Sequence, residues 1–256
     1  MATPARAHLE SLLRARKLDA TLAGAHPLAP DEASLAPSGM AALDARLGGG
    51  WPRGHLSELV GPRSSGRTWV MAQTLAAATH RGELAALIDT FDAFDPEGAA
   101  PLAPHWPYLL WIRGHGPSPT RYGRAALGGR GDEWLERAVD RAVKAAALVL
   151  QAGGFGAVAL DLADVPMPAL RRLPFTTWLR LQRLLEGQQA VGLVVAQEPI
   201  GRSARGITLK LDVEGEVTGA WQGGHDRGRR FGAVPARARL ARARWDPSDV
   251  DAFAIA

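Results

Sequence analysis

The chain has 256 residues, 46% of them hydrophobic and 22% charged, which suits one sizeable globular domain with a short appendage. It contains no cysteine, which excludes disulfides and thiolate metal sites, and its formal net charge is +4. The N-terminal MATPARAHLE lacks the apolar run of a signal peptide, and no apolar stretch is long enough to cross a bilayer, so no membrane partner and a cytoplasmic location are expected.

In chain order, Leu9, Leu12, Leu13 and Leu18 recur at helical spacing between Ala5 and Leu22, predicting an amphipathic helix with a basic outer face. That helix docks either on its own core or on a neighbour. The Pro-, Ala- and acid-rich stretch 26–38 reads as a linker, so 1–36 forms an N-terminal unit. A core over 37–222 then alternates strands and helices. Strands are expected at Ser57–Val60, Leu84–Asp89, Tyr108–Ile112, Ala157–Asp161 and Val191–Gln197. Helices are expected at Thr68–Thr79, Glu133–Gln151 and Thr177–Leu185. The apolar strands are continuous rather than alternating, which predicts an α/β fold whose mainly parallel sheet is flanked by helices on both faces. From Ile207 onward, short strands around the turn Glu214-Gly215 predict an antiparallel finish. Residues 114–131 read as a flexible surface insertion, and 223–256 as a basic hairpin and tail.

One motif carries chemistry. The strand SELV runs into GPRSSGRT and then a helix, the context of a phosphate-binding loop. Gly61, Ser64, Ser65 and Gly66 would let backbone N–H groups curl around phosphates at a helix N-terminus, and Thr68 supplies the hydroxyl that reaches Mg²⁺. The usual Lys is replaced by Arg67. A guanidinium is planar, broad and bidentate, unlike a compact ammonium seated between phosphates. The chain has only three lysines, Lys17, Lys144 and Lys210, against many arginines, so a chain-wide drift to Arg is one account of Arg67. Relaxed selection on hydrolysis is the other, and the favoured one, because a working ATPase would be under pressure to keep the Lys.

Between Gly201 and Arg244 there are ten basic and four acidic residues. Arg202, Arg205, Arg227, Arg229 and Arg230 are therefore candidate DNA-binding residues, with a solvated basic face as the alternative. Trp221 beside QGGHDRGRRFG either stacks on unpaired bases or belongs to an ordinary hairpin. The acidic tail WDPSDVDAFAIA is either a docking peptide or a frayed end, and Trp51, Trp111 and Trp178 are expected in the core or an interface. The seven histidines have no metal-binding spacing, so no metal site is expected beyond a nucleotide's own Mg²⁺ at Thr68 and Asp161.

The run LAPSGMAALDARLGGGWPRGHLSELVGPRSSGRTW resembles the entry into the ATPase core of the RecA recombinases, and LAALIDTFDAFDP, FGAVALDLADVP and VGLVVAQEP continue the likeness to about Val213. The resemblance implies a RecA-like P-loop core. It makes Asp161 the acid that positions Mg²⁺ through water, Gln197 the γ-phosphate sensor and Asp95 the acid near adenine. It also places Phe91 where the general base stands and Gly98 where an aromatic covers adenine. A Phe accepts no proton, and neighbouring Asp92 on an extended strand would face away. The two DNA-gripping loops are reduced to 162–175 and to PIGRSARG after Gln197, and no large C-terminal domain is expected.

A RecA-like chain with an imperfect phosphate loop and trimmed loops resembles the ImuA family. That resemblance implies a non-hydrolysing accessory of damage-induced (SOS) mutagenesis that supports translesion DNA synthesis. Its implied partners are an ImuB-like inactive Y-family polymerase relative, RecA, and DNA. ATP with Mg²⁺ would then be a structural ligand at most. A weak DNA-stimulated ATPase using Arg67 and Asp92, and a direct DNA-binding module, stand as alternatives.

Overall fold

The computed structural model describes residues 34–115, 131–201 and 206–212, together with the backbone of strands at 220–222, 230–233, 236–242 and 253–255. The helix expected at Ala5–Leu22, residues 116–130 of the insertion, and Arg202, Arg205, Arg227 and Arg229 lie outside the described residues, and Arg230 is described as backbone alone.

The chain enters through a two-stranded antiparallel ribbon, β1 (Leu35–Ala36) with β2 (Trp51–Pro52), enclosing helix α1 (Ala41–Arg46). Leu35 and Ala36, inside the stretch read as linker, are buried, Leu35 registered with Pro52 and Ala36 with Trp51. The Trp51 indole N–H reaches Thr74 Oγ1 at 3.1 Å, tying the ribbon to the helix that follows the phosphate loop.

Strands β3 (Leu56–Val60), β4 (Leu84–Asp89), β5 (Leu109–Arg113), β6 (Phe155–Asp161), β7 (Val191–Ala196) and β8 (Thr208–Asp212) form a parallel sheet in the order 8-3-7-6-4-5. The four central strands are runs such as LAALID and VGLVVA. They bury both faces, and a strand buried on both faces needs helices on both sides. On one side lie α1 and α2 (Arg67–His80), where Leu43, Met71 and Leu75 pack against Leu59, Leu87 and Val195. On the other lie α3 (Gly131–Ala152), α4 (Met167–Arg171) and α5 (Phe175–Leu185), where Val139, Leu170 and Trp178 meet Ile88, Leu160 and Val194. Leu135, Ala138, Val139, Ala142, Ala146, Val149 and Leu150 give α3 its single buried stripe.

The sheet finishes antiparallel as expected: the strand after Ile207, β8, runs parallel to β3 on one side and pairs antiparallel with β11 (Ala236–Arg242) on the other, and β11 pairs antiparallel with β12 (Phe253–Ile255). An apolar run signals burial but not direction, and Leu209 and Leu211 are buried in either arrangement. Strands β9 (Ala220–Gln222) and β10 (Arg230–Ala233) make a separate hairpin in which Trp221 lies opposite Phe231, and β11 and β12 extend the main sheet from beyond residue 222.

Glu58, in the middle of β3, is a charged residue in an apolar strand, and its burial is fully compensated. Its carboxylate accepts the N–H groups of Ile200 (2.8 Å) and Gly201 (2.6 Å) and the Thr208 hydroxyl (2.9 Å), fastening β3 to the approach and start of β8.

Candidate functional site at the phosphate loop

The site lies where β3, β6, β7 and β4 end, the edge at which parallel sheets gather their ligands. After Val60 the chain turns sharply. A Cβ on Gly61 would run into the Leu211 carbonyl and stand 2.7 Å from Ser65 Oγ, so only glycine fits this close approach. Ser64 (φ 61°) and Gly66 (φ 85°) adopt left-handed backbone, curling the loop into the N-terminus of α2. Ser65 is buried and its hydroxyl has no hydrogen-bond partner, while Thr68, the second residue of α2, is exposed. Residues 61–66 therefore form a tight turn into the N-terminus of α2.

Its cation does not take the predicted place. Arg67 is 5% exposed and its guanidinium turns inward, beneath the loop. Nη1 donates to the Gly61 carbonyl and to the Ala196 carbonyl (3.1 Å), and Nη2 donates to the Ala163 carbonyl (3.0 Å). Three separate segments, the ends of β3 and β7 and the turn after β6, are joined by one side chain. This use suits a planar fork of five donors and not a three-donor ammonium. Burial pulls the guanidinium down from its ordinary value, opposed by the negative charge of Asp161 and Asp164.

Asp161 ends β6 opposite Asp89 of β4, and both carboxyls are buried. Desolvation pushes the Asp161 carboxyl up to about 7, helped by Asp89 and Asp164, while the Ala163 N–H (2.9 Å to Oδ1) and Arg67 work in the other direction. Asp89 receives the N–H groups of Ala93 and Phe94, each at 2.9 Å, and the Trp111 indole at 3.2 Å, so it organises the turn after β4. Gln197 folds over the turn after β6, donating to the carbonyls of Ala163 (3.3 Å) and Val165 (3.5 Å). Arg67, Asp161 and Gln197, singled out from the sequence, thus converge on the backbone of one residue, Ala163. Its N–H serves Asp161, and its carbonyl takes both Arg67 and Gln197. No sequence signal marks Ala163 or Ala196, because what they contribute is backbone.

The remaining candidates are used elsewhere. Asp95 is exposed and accepts the Glu97 N–H at 3.0 Å in the following turn. Phe91 is buried and stacks on Trp134 of α3, centroids 5.8 Å apart. Asp92 does not sit on a strand. It lies in the turn after β4 at φ 54°, and both its oxygens are taken by Arg113, at 2.6 and 2.7 Å. That pairing lowers the Asp92 pKa below the ordinary carboxylate range, the opposite of what a general base near neutrality needs. Among the described residues, no group of three or more His, Asp or Glu is placed to hold a metal ion, and no helix is long and apolar enough to cross a membrane.

These side chains do not fit a hydrolysable magnesium nucleotide. The loop backbone, the helix N-terminus and Thr68 could face an anion, but Arg67 points away from it. Burial raises the pKa of the Asp161 carboxyl and its Oδ1 is engaged with backbone, Phe91 is packed on Trp134, and both oxygens of Asp92 are taken by Arg113.

A six-stranded parallel core in this order, with a glycine-rich loop between strand β3 and α2, defines a RecA-like α/β fold. Residues 27–110 match the RecA N-terminal domain. The chain is 50% identical to protein RecA of Lactobacillus delbrueckii subsp. bulgaricus over 70 residues, covering 27% of this chain and 21% of that protein. It is 43% identical to protein RecA of Lactococcus lactis subsp. cremoris over 83 residues, 32% of this chain and 21% of that one. The matched segment thus spans about a fifth of the length of these relatives. The crystal structure of the RadB recombinase superposes with a TM-score of 0.51 at 16% identity, covering 83% of this chain and 92% of that one, a likeness of fold. Residues 27–110 are thus similar in sequence to the RecA N-terminal domain, and the core has a RecA-like fold.

Proposed function

We propose that this chain is a non-hydrolysing RecA-like accessory protein, a pseudo-ATPase that works by binding other proteins. The observation that carries this reading is the position of Arg67. Its guanidinium is spent on three carbonyls inside the protein, so the loop is braced by its own side chain where a working ATPase keeps a cation facing phosphate. Phe91 in the core and Asp92 held by Arg113 support the same conclusion, because neither activates water.

Within that class, the resemblance of the degenerate loop and shortened flanking segments to the ImuA family supports a scaffold in SOS mutagenesis. It would join an ImuB-like polymerase relative, and RecA, to translesion DNA synthesis. A brace that needs no nucleotide has a direct consequence for assembly. When this protein is co-expressed with the ImuB-like protein, the two are expected to co-purify equally with ATP, with ADP and with neither, as read by size-exclusion chromatography. Failure to recover a complex under any of the three conditions would remove the scaffold assignment.

A further inference from the structure

Among the described residues Arg67 is the only buried cation. The three carbonyls it serves do not depend on it for their positions. Ala196 is registered with Val60 in the parallel sheet, and its carbonyl also takes the Gly61 N–H at 3.3 Å, so the ends of β3 and β7 are fastened to each other. The turn after β6 is fixed by the Leu162 N–H on the Val195 carbonyl (2.9 Å) and by the Ala163 N–H on Asp161 Oδ1 (2.9 Å). These bonds set three oxygens around one hollow, and none of them involves the guanidinium.

The hollow suits a planar cation. Nη1 reaches two of the oxygens and Nη2 the third, a spread over three segments that a flat fork of donors covers and a compact ammonium does not. A hard metal ion fits poorly, because it needs more oxygens at shorter range than these three carbonyls supply. The negative charge of Asp161 and Asp164 favours a cation here against the cost of burial. Ser65 adds to the polar surroundings. Its hydroxyl is buried without a hydrogen-bond partner and lies against Gly61, 2.7 Å from where a Cβ on that glycine would stand.

We propose that the hollow beneath the loop is a guanidinium-binding site in its own right, which the chain keeps filled with its own Arg67. The carbonyls of Gly61, Ala163 and Ala196 recognise the ion and α2 only tethers it, so cutting the tether leaves the recognition in place. A tethered ion is present at an effective concentration that a dilute free ligand does not match, so the native site takes nothing from solution and stays filled with or without nucleotide. Truncation of Arg67 at Cβ leaves a space open to water or to a free guanidinium ion. The ion has the advantage there, because it brings positive charge and planar donors to three fixed acceptors. The proposal rests on the brace assigned to Arg67 and adds that the brace works by ion recognition at a preformed site.

The test is thermal melting of the full native chain, Arg67→Ala and Arg67→Lys in low concentrations of guanidinium chloride. Sodium chloride at equal ionic strength, methylammonium chloride and urea serve as controls. Guanidinium is expected to raise the melting temperature of Arg67→Ala saturably, by roughly 3–6 °C at about ten times its dissociation constant. Methylammonium should recover less, sodium chloride and urea nothing, and the native chain should show no rise. Arg67→Lys should show a smaller rise of the same selectivity, because its own ammonium competes for the hollow, and it carries the test if Arg67→Ala does not fold. A destabilised variant that gains nothing from guanidinium, or gains as much from sodium chloride, overturns the proposal and leaves the brace and the pseudo-ATPase reading standing. A rise shared by the native chain also overturns it, by placing the ion elsewhere. ATP turnover by the native chain beside selective rescue of the variant does the reverse, removing the pseudo-ATPase reading and keeping the guanidinium site.

Discussion

Arg67→Ala is expected to lower the melting temperature by roughly 6–20 °C, a loss of about 3–5 kcal/mol. The guanidinium is buried and serves the carbonyls of Gly61, Ala196 and Ala163. Truncation leaves three acceptors facing an empty space, and each unsatisfied buried acceptor costs about 1–3 kcal/mol before partial relief by entering water. It also removes the positive charge that partly offsets the burial of Asp161. Arg67→Lys should fall between the two, because one ammonium on a shorter stem cannot reach carbonyls on three segments at once. In an ATPase whose loop cation faces solvent and phosphate, the same truncation would damage turnover while leaving the fold nearly as stable. Differential scanning calorimetry of the three proteins separates these cases, and an unchanged melting temperature for Arg67→Ala would mean that the guanidinium is not a brace.

The second large effect concerns Asp161 and has a definite sign. Its folded pKa is raised to about 7 by burial, above the ordinary value of 3.8. Below about pH 4 the folded and unfolded states both hold the proton, and the group contributes nothing to stability. Between about pH 4 and pH 7 the unfolded state releases a proton that the folded state keeps, so stability declines as pH rises, and the decline is complete above the folded pKa. The full shift corresponds to roughly 4 kcal/mol. Asp161→Asn is neutral at every pH and keeps an oxygen for the Ala163 N–H. It should therefore melt at about the same temperature as the native chain at pH 4 and several degrees higher at pH 8. A variant that melts lower than the native chain at pH 8 would show that the ionised carboxylate is stabilised in place.

The parallel core was legible because β4, β6 and β7 are apolar runs, a pattern that arises only when both faces are covered. The loop was legible from glycine spacing, and Gly61 and Gly66 are glycines for the backbone reasons their positions suggest. Trp51 and Trp178, expected in the core or an interface, are buried. Two kinds of information were not available in the sequence. Strand direction at β8 depends on which neighbour pairs with it, and Leu209 and Leu211 say only that it is buried. The destination of Arg67 depends on carbonyl oxygens, which every residue has. A replaced lysine could be read, but not the three backbone acceptors from distant segments that receive the arginine. The burial of Phe91 is of the same kind, since its partner Trp134 lies on a helix 43 positions later (134 − 91).

Phosphate release from ATP by the purified chain, with and without single-stranded DNA and beside an Asp161→Ala control, tests the central claim most directly. A side chain locked into the core as Arg67 is predicts release no greater than the control under both conditions. Release well above the control, stimulated by DNA and lost with Asp161→Ala, would contradict it and would mean that Arg67 leaves its three carbonyls to meet phosphate.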